Sequence, residues 1–376
     1  VWGSYSTTRY LMHNGGIGLG LYGSPVVTIT DSEIYGGNSD YKDAGDAILV
    51  GSSFGNKLTI NSAKVVGGSS VKGAESGYGC GGEGINSTSQ NAGISVAIEG
   101  SKIAGGDGGK SWNGNGIEIS HDIPFEIKNT TIAAGDGANS ANGNASAIAF
   151  KNWEDFSNTT LEDVTLDAGS NAKNRVIKNA GASDIKLKGT LTVEGGKALE
   201  NANFAVAEED ADGVKLVGSV DTTTVKVDGY ILSESTTADD TLVIEKALVA
   251  IGDKNYATLT DAFAEAQKGD TVKLLDDITL TEQINVFDSS VISDITLDGD
   301  NHTINCALGY SKSAFRFGNH NDPKSYATGV KVRNLNMTGM ACFAFFLHGG
   351  TTSEFTNVNI SGKYFIAINL YGTHGS

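Results

Sequence analysis

A few short polar stretches hold the residues whose chemistry could serve a function. The phrase "GNHNDPKS" supplies His320, Asp322 and Lys324, and Arg316 stands just before it. An imidazole, a carboxyl group and two cations in one loop could transfer protons or bind a charged group. We name these four residues as a candidate polar cluster, although an ordinary surface loop is the interpretation that we favour.

Two acidic stretches could hold a cation or supply an acid and a base. The phrase "AEEDADGVKL" contains Asp210 and Asp212, and closely spaced carboxylates suit calcium. No glutamate follows at the distance that a calcium loop requires, so a solvated acidic turn is the alternative and no cofactor is assigned beyond possible calcium. The phrase "LDGDNH" supplies Asp298, Asp300 and His302, which we interpret as a structural turn.

Aromatic residues in polar, glycine-rich segments suggest sugar binding. Trp112 and Trp153 each follow a predicted strand, and Tyr35 and Tyr41 stand in similar segments. Flat rings beside asparagine and aspartate suit stacking on sugars, with hydrogen bonds to the sugar hydroxyl groups. We hypothesise that these four residues form a glycan-facing surface; the alternative is that they fold down as loop anchors.

Composition narrows the classes of partner. The 376 residues include 50 glycines and 3 prolines, and the formal net charge is −17 with an isoelectric point of about 4.7. Nucleic acid is excluded as a partner because phosphate binding needs clustered lysine and arginine. No window is apolar enough to span a bilayer, so no membrane insertion is expected in this segment. The composition is typical of a secreted or surface-exposed protein.

A repeated motif shows how the chain is organised. The pattern apolar-x-[N/D/S/G]-x-x-apolar-x-[G/A] occurs seven times, and its third residue is in turn Asp31, Ser62, Gly100, Asn129, Asp163, Asn334 and Asn357. In an unbroken strand the two apolar positions would point to opposite faces, because they are five residues apart. A corner is therefore predicted between them, and glycine, asparagine and aspartate tolerate the left-handed conformation that a corner needs.

Further short strands, such as "DAILVG" and "SAIAF", precede most copies of the motif, and polar glycine-rich spacers separate the copies. Two or three short strands per turn, with tight corners and one variable loop, describe an all-β parallel β-helix, or solenoid. A β-sandwich is the competing fold. Its strands should be joined by hairpins and should not keep one motif over more than three hundred residues.

One segment, "TLTDAFAEAQKG", predicts a short helix near 258–268. Thr258 can cap this helix, with Asp261 three residues later, and Leu259, Ala262 and Phe263 fall on one face. Such a helix can cover the exposed end of a β-helix. Residues 256–280, together with "ITLDGDNHTI" at 295–304, resemble the start of pectate-lyase-like right-handed β-helix modules of large bacterial cell-surface proteins.

The resemblance implies a right-handed parallel β-helix at the bacterial cell surface, and it covers about 250–376 well and 14–200 only through the coil motif. We predict two stacked β-helical parts. Coils without an N-terminal cap occupy 1–205, closing strands and a linker occupy 206–250, and a second β-helix occupies 251–376, beginning with a helical cap and ending in mid-coil.

The predicted function is that of a non-enzymatic, adhesin-like surface solenoid, which acts as a stalk, a fibre or filament subunit, or an adhesin for a glycan or host-surface ligand. The alternative is a carbohydrate-active β-helix enzyme, either a polysaccharide lyase or a glycoside hydrolase, since one fold hosts many functions. No catalytic residue is assigned.

Two distant phrases, at 17–24 and 366–373, share the pattern I-x-[IL]-x-L-Y-G-[ST]. If Ser376 were joined to Val1, the two phrases would be 27 residues apart, which lies within the spacing of 23–38 residues between copies of the corner motif. We therefore expect one period of a tandem array, a subunit that associates end to end with copies of itself, or an excised fragment.

Overall fold

The computed structural model describes residues 15–40, 43–51, 55–70, 79–88, 93–109, 112–137, 145–151, 156–178, 184–235, 240–286, 294–319, 326–349 and 352–371. The chain forms two compact units. The first is Val1–Asp228 with Leu232–Ile244, and the second is Gly229–Ile231 with Glu245–Ser376.

In the first unit, three short strands recur in each turn of the chain. Four successive coils consist of β1 (Leu19–Leu21), β2 (Val26–Thr30) and β3 (Glu33–Tyr35); β4 (Ile48–Val50), β5 (Lys57–Asn61) and β6 (Lys64–Val66); β7 (Ile85–Ser87), β8 (Ser95–Glu99) and β9 (Lys102–Ala104); and β10 (Ile117–Ile119), β11 (Phe125–Lys128) and β12 (Thr131–Ala133).

The later coils of this unit have longer strands and then lose their regularity. They contain β13 (Ser146–Phe150), β14 (Thr159–Asp167), β15 (Arg175–Lys178), β16 (Ile185–Glu194), β17 (Asn203–Ala205), a 3-10 helix (Glu208–Gly213), β18 (Lys215–Val217) and β19 (Lys226–Val227). Strands β20 (Tyr230–Glu234) and β21 (Thr241–Lys246) follow, and each has residues in both units. Strand β21 pairs antiparallel with β18, so the parallel stacking is interrupted there.

Equivalent strands of successive coils pair in parallel and in register. The first strands of each coil form a sheet in the order β1-β4-β7-β10-β13-β15. Its buried ladder consists of Ile48, Ile85, Ile117, Ile148 and Ile177. Each buried isoleucine contributes roughly 1.5–3 kcal/mol relative to an exposed one, so the register of the coils is fixed by the apolar interior.

The predicted corners are confirmed at every copy of the motif. The seven third residues all have positive φ, between 46° at Asp31 and 59° at Gly100. The sequence pattern missed a further corner, at Gly189 in β16 (φ 59°), because β16 has one residue more than β14 at this corner and the motif is shifted. The left-handed conformation at each corner turns the second apolar residue back into the core.

Glycines interlock where each loop leaves the stack and returns to it. The backbone N–H of each glycine donates to the carbonyl oxygen of the previous one, at 2.7–2.9 Å, in the order Gly16, Gly37, Gly45, Gly68, Gly82, Gly106, Gly114 and Gly135. We call these eight residues the glycine row. A Cβ atom on Gly106 would lie 1.8 Å from the carbonyl oxygen of Gly68, so only glycine fits at this position.

The second unit begins with a helix-covered hairpin and continues as parallel coils. Its elements are β22 (Val249–Ile251), β23 (Lys254–Tyr256), α1 (Leu259–Glu265), β24 (Thr271–Leu274), β25 (Ile278–Leu280), β26 (Ile284–Val286), β27 (Thr296–Asp298), β28 (Thr303–Gly309), β29 (Phe315–Phe317), β30 (Lys331–His348), β31 (Glu354–Ile360) and β32 (Lys363–Tyr371). Strand β22 pairs antiparallel with β24, whereas β24, β27, β30 and β31 pair in parallel.

Helix α1 is confirmed where the sequence predicts it. The Thr258 hydroxyl accepts the backbone N–H of Asp261 at 3.1 Å. Phe263 packs its ring 6.2 Å from that of Phe315 and 5.9 Å from that of Phe317, which lie inside the second unit. The fold is therefore an all-β parallel β-helix, with one short α-helix in the part of the chain that the structure describes.

Candidate functional site

A groove of ≈ 590 Å³ runs along the first unit, beside the sheet formed by the first strands of the coils. Five successive coils contribute to its lining. The side chains that matter for its chemistry are Asp43, Asp46, Glu83, Trp112, Asn113, Asn115, Glu118, Lys151 and Lys178.

The register of the coils places polar residues in a column on one wall of the groove. Asp46, Glu83 and Asn115 each stand two residues before an isoleucine of the buried ladder. The Asp46 carboxylate accepts the backbone N–H of Glu83 at 3.0 Å, and the Asn115 side-chain oxygen accepts the backbone N–H of Ser146 at 2.8 Å. Each of these acceptors thus holds the next coil in place.

Asp46 and Glu83 form a carboxyl pair in this column. Burial raises the pKa of Glu83 well above its usual range, and the hydrogen bond to Asp46 and the negative charges of Asp46 and Glu118 raise it further, while Lys151 opposes the shift. Two carboxyl groups this close cannot both ionise cheaply. Glu83 therefore keeps its proton to a higher pH than an ordinary glutamate does.

Glu118 is the most buried charged group of the groove, with 3% of its surface exposed. The Lys151 ammonium lies 2.5 Å from one of its carboxylate oxygens, and the Asn115 amide donates to the other at 3.0 Å. A buried carboxylate is tolerated when its charge is paired and its oxygens accept hydrogen bonds. This arrangement fixes Glu118 in the floor of the groove.

Trp112 and Asn113 also line the groove. The indole side chain of Trp112 is 56% exposed, although its backbone oxygen accepts the N–H of Gly81 at 2.8 Å. Asn113 is 5% exposed, and its side-chain oxygen accepts the N–H of Gly108 at 2.8 Å. The amide nitrogen of Asn113 has no hydrogen-bond partner among the described residues. A buried donor left unpaired costs about 1–3 kcal/mol, so a ligand oxygen at this position would recover that cost.

Of the four aromatic residues proposed to face a glycan, Trp112 lines the groove and Tyr35 does not. Tyr35 lies in β3, where its hydroxyl donates to Glu33 at 2.7 Å and the ammonium of Lys64 stands 5.3 Å from its ring centre. Trp153 and Tyr41 lie outside the described residues. A shared glycan surface of all four stays a prediction.

The other candidate residues are held in local contacts. A carboxylate oxygen of Asp210 is 2.9 Å from the ammonium of Lys188, and the Asp212 side chain is outside the described part of the chain. The Arg316 guanidinium lies 5.9 Å from the ring centre of Phe346, whereas His320, Asp322 and Lys324 are outside the described residues. Calcium binding and the polar cluster both stay predictions.

The acidic phrase "LDGDNH", which begins in β27, has a structural role, as the sequence suggests. Burial alone would raise the pKa of Asp298. The carboxylate accepts hydrogen bonds from the Asp300 backbone and from the Asn334 and Arg333 side chains, and these outweigh burial, so the pKa is lowered. Arg333 donates to the carboxylate at 2.8 Å across neighbouring coils. Asp298 therefore joins coils of the second unit.

Asp276, Asp277 and His302 could together offer metal ligands, because their ligand atoms lie within 4.8 Å of one another. Two of the groups already have partners. Asp276 pairs with Lys246 at 2.6 Å, and Asp277 accepts the backbone N–H of Thr303 at 2.7 Å. We assign no metal to this cluster.

Sequence reasoning missed the carboxyl groups of the groove, Asp46, Glu83 and Glu118. One signal could have revealed the column: aligned on their isoleucines, "DAILV", "EGINS" and "NGIEI" place Asp46, Glu83 and Asn115 at the same position. The corner motif drew attention to the second and third strands of each coil, whereas the groove lies beside the first strand.

No protein-family model matches the chain, and no curated protein matches it. Among solved structures, the chain is similar to the tailspike protein gp49 from Pseudomonas phage LKA1, with 14% sequence identity and a TM-score of 0.22. The match covers 93% of this chain and 49% of the tailspike chain, so this chain spans about half the length of that protein.

None of the helices in the described ranges is long and apolar enough to cross a bilayer.

Proposed function

We propose that this chain is an adhesin-like β-solenoid of a bacterial surface that binds a glycan in the groove of its first unit. One observation carries the proposal: an exposed indole, that of Trp112, adjoins a buried amide donor, that of Asn113, which lacks a protein partner among the described residues. A sugar ring can stack on the indole while one of its hydroxyl oxygens accepts from the amide.

The rest of the groove suits the same kind of ligand. Carboxyl groups can exchange hydrogen bonds with sugar hydroxyl groups, and Asp46, Glu83 and Glu118 all line the groove. Few apolar side chains line the groove, so it does not favour an apolar ligand. We expect such a solenoid to lie at the cell surface and to present its binding face away from the cell. The acidic composition and the stack of repeated coils suit that role.

A carbohydrate-active enzyme is the second candidate, because Glu83 holds a proton in a groove lined by other carboxyl groups. The geometry of the Asp46–Glu83 pair favours binding instead. Glycoside hydrolases separate their two carboxyl groups by roughly 5–9.5 Å, whereas these two side chains share a hydrogen bond. Release of reducing ends or of unsaturated sugars from any polysaccharide, abolished by Glu83→Gln, would establish the enzyme instead of the binding protein.

The binding proposal is tested on a glycan array followed by calorimetry. Trp112→Ala should weaken the best ligand about tenfold, which corresponds to about 1.4 kcal/mol, because the stacking surface is lost. The matched control is Tyr310→Ala, which removes another exposed aromatic side chain, 60% exposed, from the second unit. Binding that survives Trp112→Ala, or that falls equally in Tyr310→Ala, would remove the groove from consideration.

A further inference from the structure

We infer that the groove accommodates a linear, uncharged glycan whose chain runs parallel to the stack of coils, with about one sugar ring opposite each coil. This inference rests on the proposed glycan-binding function and adds the length, the direction and the charge class of the ligand. A single terminal sugar held at Trp112 is the alternative that the geometry disfavours.

The length follows from the coils that line the groove. Asp43 lies in the coil of β4, Trp112 precedes β10, and Lys178 ends β15, so the lining spans five consecutive coils. Neighbouring parallel strands are about 4.8 Å apart, which makes the groove about 19 Å long. A single sugar ring would fill only one part of it.

The direction follows from the periodicity of the polar groups. Asp46, Glu83 and Asn115 repeat once per coil at the same position. On the first strands themselves, Glu118 and Lys178 occupy one position two coils apart, with Ala149 in register between them. A linear polymer laid along the stack presents a similar set of hydroxyl groups to each coil in turn, whereas a ligand laid across the stack meets only one coil.

The charge class follows from the balance of ionisable groups. Four carboxyl groups, those of Asp43, Asp46, Glu83 and Glu118, line the groove together with two lysines. Lys151 is already neutralised by Glu118. With a chain charge of −17 around it, the groove repels a polyanion and accepts an uncharged glycan.

Isothermal calorimetry with defined oligosaccharides tests the inference. The probes are cello-, manno- and chito-oligosaccharides, each as a ladder from the monosaccharide to the hexasaccharide, and oligogalacturonates as the charged counterpart. We expect the affinity for one neutral series to rise with each added sugar and to level off at about four to five rings, when the groove is filled. Oligogalacturonates of equal length should bind at least about tenfold more weakly.

Variants at the two ends of the groove test whether the ligand spans it. Asp43→Ala and Lys178→Ala should each weaken the hexasaccharide about fivefold and leave the disaccharide, held near Trp112, unchanged. Lys102→Ala is the matched control, because Lys102 is an exposed lysine of the same unit that does not line the groove. Far-UV circular dichroism of each variant confirms that the fold is retained.

The outcomes separate this inference from the proposed function. An affinity that does not depend on chain length, or a stronger affinity for oligogalacturonates, would overturn the inference while glycan binding stands. Loss of disaccharide binding in Asp43→Ala or Lys178→Ala would also overturn it, because both ends would then belong to one compact subsite. If no oligosaccharide of any series or length binds, both the inference and the proposed function fall.

Discussion

Glu83 faces two other carboxyl groups, those of Asp46 and Glu118, and one cation, that of Lys151. Its usual pKa is 4.5, and in the folded chain the pKa lies well above that value. Between these two values the folded protein binds more protons than the unfolded chain does. The free energy of unfolding therefore falls as the pH rises through that window.

Glu83→Gln should remove this pH dependence, because the amide has the shape of the protonated acid and does not ionise. We expect the wild type and the variant to have similar stability below pH 4.5, and the variant to be the more stable of the two at mildly alkaline pH. Urea unfolding at both pH values, followed by circular dichroism, measures the difference. Equal pH dependence in the two proteins would show that Glu83 titrates normally.

The side-chain amide of Asn113 leads to a second prediction at the scale of one residue. Asn113→Asp keeps the shape of the side chain and the acceptor for Gly108, but it removes the unpaired amide donor of a residue that lines the groove. We expect glycan affinity to fall about tenfold or more, since a lost donor and an added negative charge both act against a sugar oxygen. Thermal unfolding of the variant serves as the control, and an unchanged affinity would mean that the ligand does not reach this amide.

At the scale of elements, the glycine row is held together by backbone alone. In Gly106→Ala the new methyl group would overlap the carbonyl oxygen of Gly68, and the coils would have to move apart. We expect a loss of about 1–3 kcal/mol in the free energy of unfolding, the usual cost of overpacking. Gly213→Ala is the control, because nothing lies within 4 Å of its added Cβ. Equal stability of the two variants would show that the coils accommodate a methyl group in the glycine row without loss of stability.

Helix α1 allows a second prediction at this scale, which concerns the stability that its packing contributes. Phe263 is 4% exposed and packs on the two phenylalanines of β29. Phe263→Ala should lower the free energy of unfolding by about 3–5 kcal/mol. We expect this loss to appear as faster amide hydrogen exchange in 249–286. An exposed substitution in the same helix, Asp261→Asn, keeps the packing and tests the cap alone. Unchanged exchange in Phe263→Ala would mean that the helix does not protect the strands beneath it.

For the whole molecule, the sequence predicts local features, such as corners and helix caps, better than it predicts the groove. The corner at Asn129 and the helix cap at Thr258 depend on residues within a few positions, so local patterns identify them. The groove depends on Asp46 and Glu83, which are brought together only by the register of separate coils. Loops of different length precede each coil, so that register cannot be counted along the chain and is fixed instead by the packing of the isoleucine ladder.

The glycine row has a consequence for how this protein can change over generations. The row closes the base of each loop through main-chain atoms, which are the same whatever residues stand farther out. The loops that it closes already differ in length and composition, as in 38–44, 69–81 and 107–113. We therefore expect insertions, deletions and substitutions at the loop tips to leave the coils intact. Such a scaffold can diversify the rim of its groove while its stability remains constant.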